Sequence, residues 1–466
     1  MKNMTLENLA AACGGKLVCQ GQPSPAEASA VVIDSRQAGR DSIFIAVKGE
    51  RVDGHRFIPD VFAKGALGVV CESLPEKPAG ACILVEDSLK ALRRIAEFYR
   101  KQLPVKVVGI TGSVGKTSTK EFVAAVLARK YRTHKTQGNY NNEIGVPLTV
   151  LAMPEDTEAA VLEMGINHFG EMHRLSRIAR PDVCLMTNIG QCHLEFLGSR
   201  EGILKAKSEI FDFMQEDGCA VLNGDDDLLS TVEQVKGKKP LFFGISSERA
   251  AQYEVSAKDV REKGILGSEA VFCHNGEKFP VHIPVPGAHM VYNALAAAAV
   301  GFRLGLTGEE IAEGIAAVQS VRGRSRIVQA GDRTLIDDCY NANPVSMKAA
   351  IDLLVQAQGR SVAVLGDMFE LGEEEKELHA QVGRYCVQKG ADCLICTGSL
   401  SEAMYEGALS AAEEQGRMPA GGIHHFPDRE SLLAHLEKLL LPGDTVLIKA
   451  SHGMGFEEVV KHLSGE

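Results

Sequence analysis

Six consecutive residues, Gly112-Ser113-Val114-Gly115-Lys116-Thr117, combine glycines, a lysine and a hydroxyl in the manner of a nucleotide-phosphate loop. Glycines let several backbone N–H groups converge on phosphate oxygens. Lys116 would neutralise the β- and γ-phosphates, and Thr117, followed by Ser118, would offer a hydroxyl to Mg²⁺. The common spelling of this loop wants a further glycine five residues before Gly115, where this chain has Ile110. The alternative is a tight strand-to-helix turn carrying a surface lysine. Context favours the phosphate cradle, because a β-branched run, "VKVVGI", precedes the turn and "TKEFVAAVLARKY" follows it. That second stretch puts Phe122, Val123, Val126 and Leu127 on one helical face.

Further strand candidates, "AAVLEM", "DVCLMTN" and "CAVLNG", are continuous apolar runs, the pattern of a parallel sheet covered on both faces. Three α/β blocks are expected: 1–85, with short strands "AVVID", "SIFIAV" and "ACILVE"; 86–320, carrying the glycine loop; and 321–466. In the last, "TLIDD", "SVAVLGD", "DCLICTG" and "DTVLIKAS" alternate with helical stretches in a Rossmann-like rhythm lacking the dinucleotide glycine turn.

Composition narrows the chemistry. With 61 acidic and 50 basic residues the net charge is −11, which argues against nucleic acid as a partner. No apolar run approaches a membrane span or signal peptide, so a cytoplasmic protein is expected. Twelve cysteines then read as reduced thiols, and Cys393-Leu-Ile-Cys396 as part of a buried strand rather than a redox pair. Glu163 ends a strand at the edge where open α/β sheets place their ligands. His193 and Lys207 follow, each by itself more often a loop histidine and a solvated lysine.

In combination these residues resemble the Mur ligase family, whose loop reads G-[ST]-x-G-K-[ST], as Gly112 to Thr117 do. The resemblance implies a Mg²⁺ site of Thr117, Glu163, His193 and Lys207, the lysine being carbamylated by CO₂. It implies purine contacts at His289 and Asn293 in "GAHMVYNALAAAA", and a γ-phosphate arginine in "VRGRSRI", assigned to Arg324 with Arg326 as the alternative. "GNYNNEIGVPLT", "EMGINHFGEM", "IDDCYNANPVSMKAAI" and "LGDMFELGEEEKELHAQVG" resemble the branch that joins D-alanyl-D-alanine to a UDP-N-acetylmuramoyl-tripeptide. Asp338, Tyr340, Asn341 and Asn343 would then face ATP ribose or acyl phosphate, although an Asx-rich turn before Pro344 explains the same residues. Ser35, Arg36 and Gly49 would contact the UDP-sugar, while Asp53 to His55 suits a polar turn equally well. Lys449 and Ser451 would line the dipeptide pocket. His452 stands where an arginine is common in the branch, and no metal role is expected of Cys192.

The implied activity is ATP-dependent amide synthesis through an acyl phosphate by a monomeric enzyme. Its rivals are another Mur-type or folylpolyglutamate-type ligase and a P-loop NTPase switch. A switch has no use for a UDP-sugar block or for the Y-N-A-N-P element.

Overall fold

The computed structural model describes residues 1–49, 52–190, 194–416 and 419–465. It contains three sheets in chain order, each flanked by helices. The first has five strands in the order Lys16–Val18, Ala81–Leu84, Gly68–Cys71, Ile43–Ile45, Val31–Val32, with the Lys16 strand antiparallel and the rest parallel. The second has nine strands. In it Lys106–Thr111 lies between Ala159–Glu163 and Val183–Met186, all parallel. The third has six, with Thr445–Lys449 between Arg333–Asp337 and Ser361–Gly366.

The central strands are apolar along their length because helices cover both faces. Helix Lys116–Leu127 packs on one face, against helix His289–Arg303, burying Phe122, Val123, Val126 and Leu127. The other face shares a continuous core with the first sheet, through Leu92, Ile95, Leu175 and Ile178. Register then does the positioning. Ile110 pairs with Glu163 and Thr111 with Met186, so three loops open side by side at one end of the sheet.

Two features depart from the sequence reading. The second sheet is mixed, because Tyr253–Glu262, Ser268–His274 and Glu277–Ile283 extend it as an antiparallel ribbon. Its last turn carries Asn275 at φ 46° and Gly276 at φ 86°, the two positive angles that an Asn-Gly hairpin supplies. Helix Ser88–Arg100 packs on Leu6–Cys13 of the first block and on Gly145–Leu151 and Glu171–Ala179 of the second, and so braces both. Cys393 and Cys396 are buried in one strand, and desolvation raises both thiols above their ordinary values. The eleven described cysteines are all free. Among the described residues no helix is long and apolar enough to cross a membrane.

Arg100 closes the brace. Its buried guanidinium donates to the carbonyls of Ala179 (3.0 Å), Leu103 (3.1 Å), Val105 (3.1 Å) and Arg180 (3.5 Å), and burial lowers its pKa to about 10. Arg100→Met leaves these carbonyls without their donor and is expected to cost about 2–4 kcal/mol. A fall in the midpoint of urea unfolding checks this; an unchanged midpoint contradicts it.

Candidate functional site

The glycine loop is held by close approach and by hydrogen bonds from the neighbouring strand end. Gly112 has φ 146°, and a Cβ there would stand 2.0 Å from the Thr187 hydroxyl oxygen. Gly115 is left-handed, at φ 87°, and caps the helix that begins at Lys116. The end of the Val183 strand grips the loop. The Asn188 side chain accepts from Val114 N–H (2.9 Å) and donates to Val114 C=O (3.0 Å), while the Thr187 hydroxyl donates to the same carbonyl (2.6 Å). Ser113 Oγ accepts from Gly190 N–H at 2.9 Å. Lys116 Nζ donates to the carbonyls of Gly112 (2.8 Å) and Ser113 (3.3 Å), which holds its ammonium over the loop.

Glu163 is 1% exposed. Its Oε1 accepts from the Thr117 hydroxyl at 3.1 Å and from Asn141 Nδ2 at 2.8 Å. Its Oε2 has no hydrogen-bond partner among the described residues. The buried carboxylate and the threonine hydroxyl beside its Oε1 form a set of hard oxygen donors that fits Mg²⁺. Lys207 is also buried, in the last turn of helix Arg200–Ser208. His193 lies outside the described residues, as does Cys192.

The third block supplies the opposite wall. Asp337 Oδ2 accepts from Gly323 N–H (2.9 Å) and Asp338 Oδ1 from Ser325 N–H (3.0 Å), fixing the turn that carries Arg324. The Arg324 guanidinium lies over the Tyr340 ring, 4.0 Å from its centroid, and its buried Nε has no hydrogen-bond partner among the described residues. Burial raises the Tyr340 pKa, although the nearby Arg324 opposes that shift. Lys449 Nζ bonds Asp338 Oδ2 (2.6 Å) and the Asn341 carbonyl (2.9 Å).

Residues Ser113 to Ser118, Asn141, Glu163, Asn188, His289, Asn293, Arg324, Asp338, Tyr340, Asn341, Asn343 and Lys449 line one cleft of about 890 Å³, whereas Gly112, Lys207 and Asp337 are not among its lining residues. Arg326, the alternative arginine, is not among the lining residues; it starts the strand Arg326–Ala330. Asn293 is buried, where its Oδ1 accepts from Thr119 (3.0 Å). Asn343 caps the helix Pro344–Val355, accepting from Ser346 N–H (2.9 Å). The Asx-turn reading therefore holds for Asn343, which nevertheless lines the cleft.

Other expected residues lie elsewhere. Ser451 is buried with its hydroxyl accepting from Phe369 N–H (2.9 Å), and it does not line the cleft. His452 sits 5.5 Å, ring to ring, from Tyr340. Ser35, Arg36 and Gly49 belong to the first block, away from the cleft lining. Arg36 pairs with Asp34 at 2.6 Å, and that hydrogen bond lowers the Asp34 pKa to about 2. Asp53 caps a turn through His55 N–H (3.0 Å), and His55 Nε2 accepts from Glu72 N–H (2.8 Å), so this segment holds its own loop together. The sequence reading missed Asn141, Asn188 and Lys120. Asn141 and Asn188 stood within quoted or adjacent motifs, but nothing in their spacing distinguished loop-holding from ligand-holding asparagines.

A phosphate loop, a buried acid and a reaching arginine around one cleft, in a three-sheet chain, define a nucleotide-dependent ligase. Three domain patterns match: the Mur ligase family catalytic domain over residues 27–100, the Mur ligase middle domain over 110–301, and the Mur ligase glutamate ligase domain over 323–452. The chain belongs to the Mur ligase family and is an ATP-dependent ligase. It is 39% identical to the UDP-N-acetylmuramoyl-tripeptide–D-alanyl-D-alanine ligase of Bacillus subtilis over 468 residues, 99% of each chain. It resembles the crystal structure of MurF from Acinetobacter baumannii, with a TM-score of 0.89, 31% identity and 99% of each chain covered. It also resembles the MurF ligase of Thermotoga maritima in complex with ADP, with a TM-score of 0.80, 31% identity and coverage of 94% of this chain and 97% of that one.

Gly112→Ala places a side chain against Thr187 in a strained conformation, and ADP affinity is expected to fall about 10-fold or more. Titration calorimetry with ADP and Mg²⁺ reads this directly; unaltered affinity would contradict the loop's assignment.

Proposed function

We propose that this enzyme joins D-alanyl-D-alanine to UDP-N-acetylmuramoyl-tripeptide, forming the pentapeptide precursor of peptidoglycan in the cytoplasm at the expense of ATP. The observation that carries the reading is the facing of Lys116, Thr117 and Glu163 on one wall of the cleft by Arg324, Tyr340 and Asn341 on the other. The relatives that match end to end bear the name of this activity. Residues 1–85 would hold the UDP-sugar through Ser35, Arg36 and Gly49, residues 86–320 the ATP, and 321–466 the dipeptide. The enzyme would act as a monomer.

A carboxylate and an ammonium at neutral pH form an unreactive pair, so the acid must be activated first. The tripeptide's terminal carboxylate attacks the γ-phosphorus of ATP, ADP leaves, and an acyl phosphate results. The dipeptide amine then attacks the acyl carbon, and phosphate departs. The first step brings two anions together. Lys116 from the loop and Arg324 from the opposite wall lower that repulsion and hold the γ-phosphate in line. His289 and Asn293 would flank the purine. Asp338 anchors the Arg324 turn and Lys449, while Tyr340 supports the guanidinium face. Thr117 and Glu163, with His193 and a carbamylated Lys207 from the sequence pattern, would hold Mg²⁺, which when bound supplies charge neutralisation at the phosphates.

Phosphate release should require both UDP-N-acetylmuramoyl-tripeptide and D-alanyl-D-alanine for sustained turnover. Release that ignores either substrate would overturn the reading in favour of an NTPase. Lys207→Ala should lower turnover on the order of 100-fold, with partial recovery in acetate, a short carboxylate that replaces the carbamate. Unchanged turnover in the variant would exclude the carbamate.

A further inference from the structure

Lys120 is among the largest fully buried side chains of the protein, with 2% exposure, yet it ends in an ammonium and is not among the residues that line the cleft. It lies one helical turn beyond Lys116 in Lys116–Leu127, pointing at the strand that ends in Glu163. Its Nζ is 3.2 Å from Glu121 Oε1 and 3.8 Å from Glu163 Oε2. Glu121 in turn pairs with Lys135, which is 35% exposed. A line of alternating charges, Glu163–Lys120–Glu121–Lys135, therefore runs from the floor of the cleft to the surface.

The two oxygens of Glu163 are thereby treated differently. Oε1 faces Thr117 and Asn141, on the nucleotide side, and both donate to it. Oε2 has no hydrogen bond among the described residues, and the Lys120 ammonium lies 3.8 Å from it. We propose that Lys120 is a positioning residue that serves as the resident counter-ion of Glu163, holding Oε2 so that Oε1 alone is presented to the nucleotide-bound cation. It would keep the buried carboxylate oriented in the interval between one metal–nucleotide complex and the next. Removing one member of a buried pair is costly chiefly because the other charge is stranded. The cost of losing Lys120 should therefore depend on whether residue 163 is charged.

This inference rests on Glu163 as a metal ligand for its purpose, but its physical core is testable without metal. Thermal unfolding of the full chain is followed in EDTA for wild type, Lys120→Met, Glu163→Gln and the double variant. Lys120→Met is expected to lower Tm by at least about 3 °C. The double variant should melt close to Glu163→Gln alone, because no charge is left stranded. Lys120→Arg should retain most of the wild-type Tm. If Lys120→Met does not fold but the double variant does, the coupling is upheld in its strongest form. A deficit of equal size with and without Glu163→Gln overturns the proposal and leaves Lys120 as a partner of Glu121 alone. Added Mg²⁺ with ADP should raise the Tm of Lys120→Met more than that of wild type; an equal rise overturns the orienting role. The metal reading fails separately, by Glu163→Gln showing the full wild-type response to Mg²⁺ and ADP.

Discussion

The Glu163 carboxylate is a charge placed where water hardly reaches, and most of the central architecture is arranged around making that tolerable. A buried carboxylate costs several kcal/mol unless donors and counter-charges surround it. Its donors come from different stretches of chain: Thr117 from the loop helix and Asn141 from the segment after the strand Thr133–Lys135, with Thr136 Oγ1 accepting from the Glu163 backbone N–H. The pairing of Ile110 with Glu163 sets their relative height. A one-residue slip would turn the carboxylate to the opposite face of the sheet. Chemistry at the cleft thus depends on strand register several residues below it.

The same logic extends to the loop. Its phosphate-facing geometry is not a property of its glycines alone. Thr187 and Asn188, from the neighbouring strand end, satisfy the backbone groups of Val114, and Gly190 N–H holds the Ser113 hydroxyl. Gly112 must be glycine because Thr187 occupies the space a side chain would need. The residue that looked displaced in the sequence, Gly112 in place of a glycine at 110, marks where the loop passes against the Thr187 side chain. Across the cleft, two consecutive carboxylates, Asp337 and Asp338, hold the Arg324 turn by its backbone and leave the guanidinium to stack on Tyr340. Both walls present cations on loops tied down by neutral or acidic partners, which concentrates positive potential in a chain of net charge −11.

Much of this was legible in the sequence where one period dominated. Continuous apolar runs located the central strands, and the strand-loop-helix order located Lys116 and Glu163. The family resemblance, more than any local rule, brought in Arg324 and the Tyr340 to Asn343 element from another block. What escaped was long-range and polar. The ribbon Tyr253–Ile283 carries an Asn-Gly hairpin signal, but its strands alternate faces and so lack a continuous apolar run. Lys120 lies off the apolar face read for its helix, and only tertiary packing shows that it is enclosed. Ser451 and the Asp53 to His55 segment have residue types suited to ligands, yet their hydrogen bonds go to their own backbone surroundings. Spacing cannot tell those cases apart, because the same donors and acceptors serve both purposes.

The central claim is that the two walls act on a single γ-phosphate, moving it onto the tripeptide's carboxylate before the amide bond forms. Labelling that terminal carboxylate with heavy oxygen tests it most directly. During turnover with ATP and D-alanyl-D-alanine, the released inorganic phosphate is analysed by mass spectrometry. Transfer through an acyl phosphate predicts that a labelled oxygen appears in the phosphate for each amide bond made. Phosphate carrying no label, alongside product formation, would contradict the account.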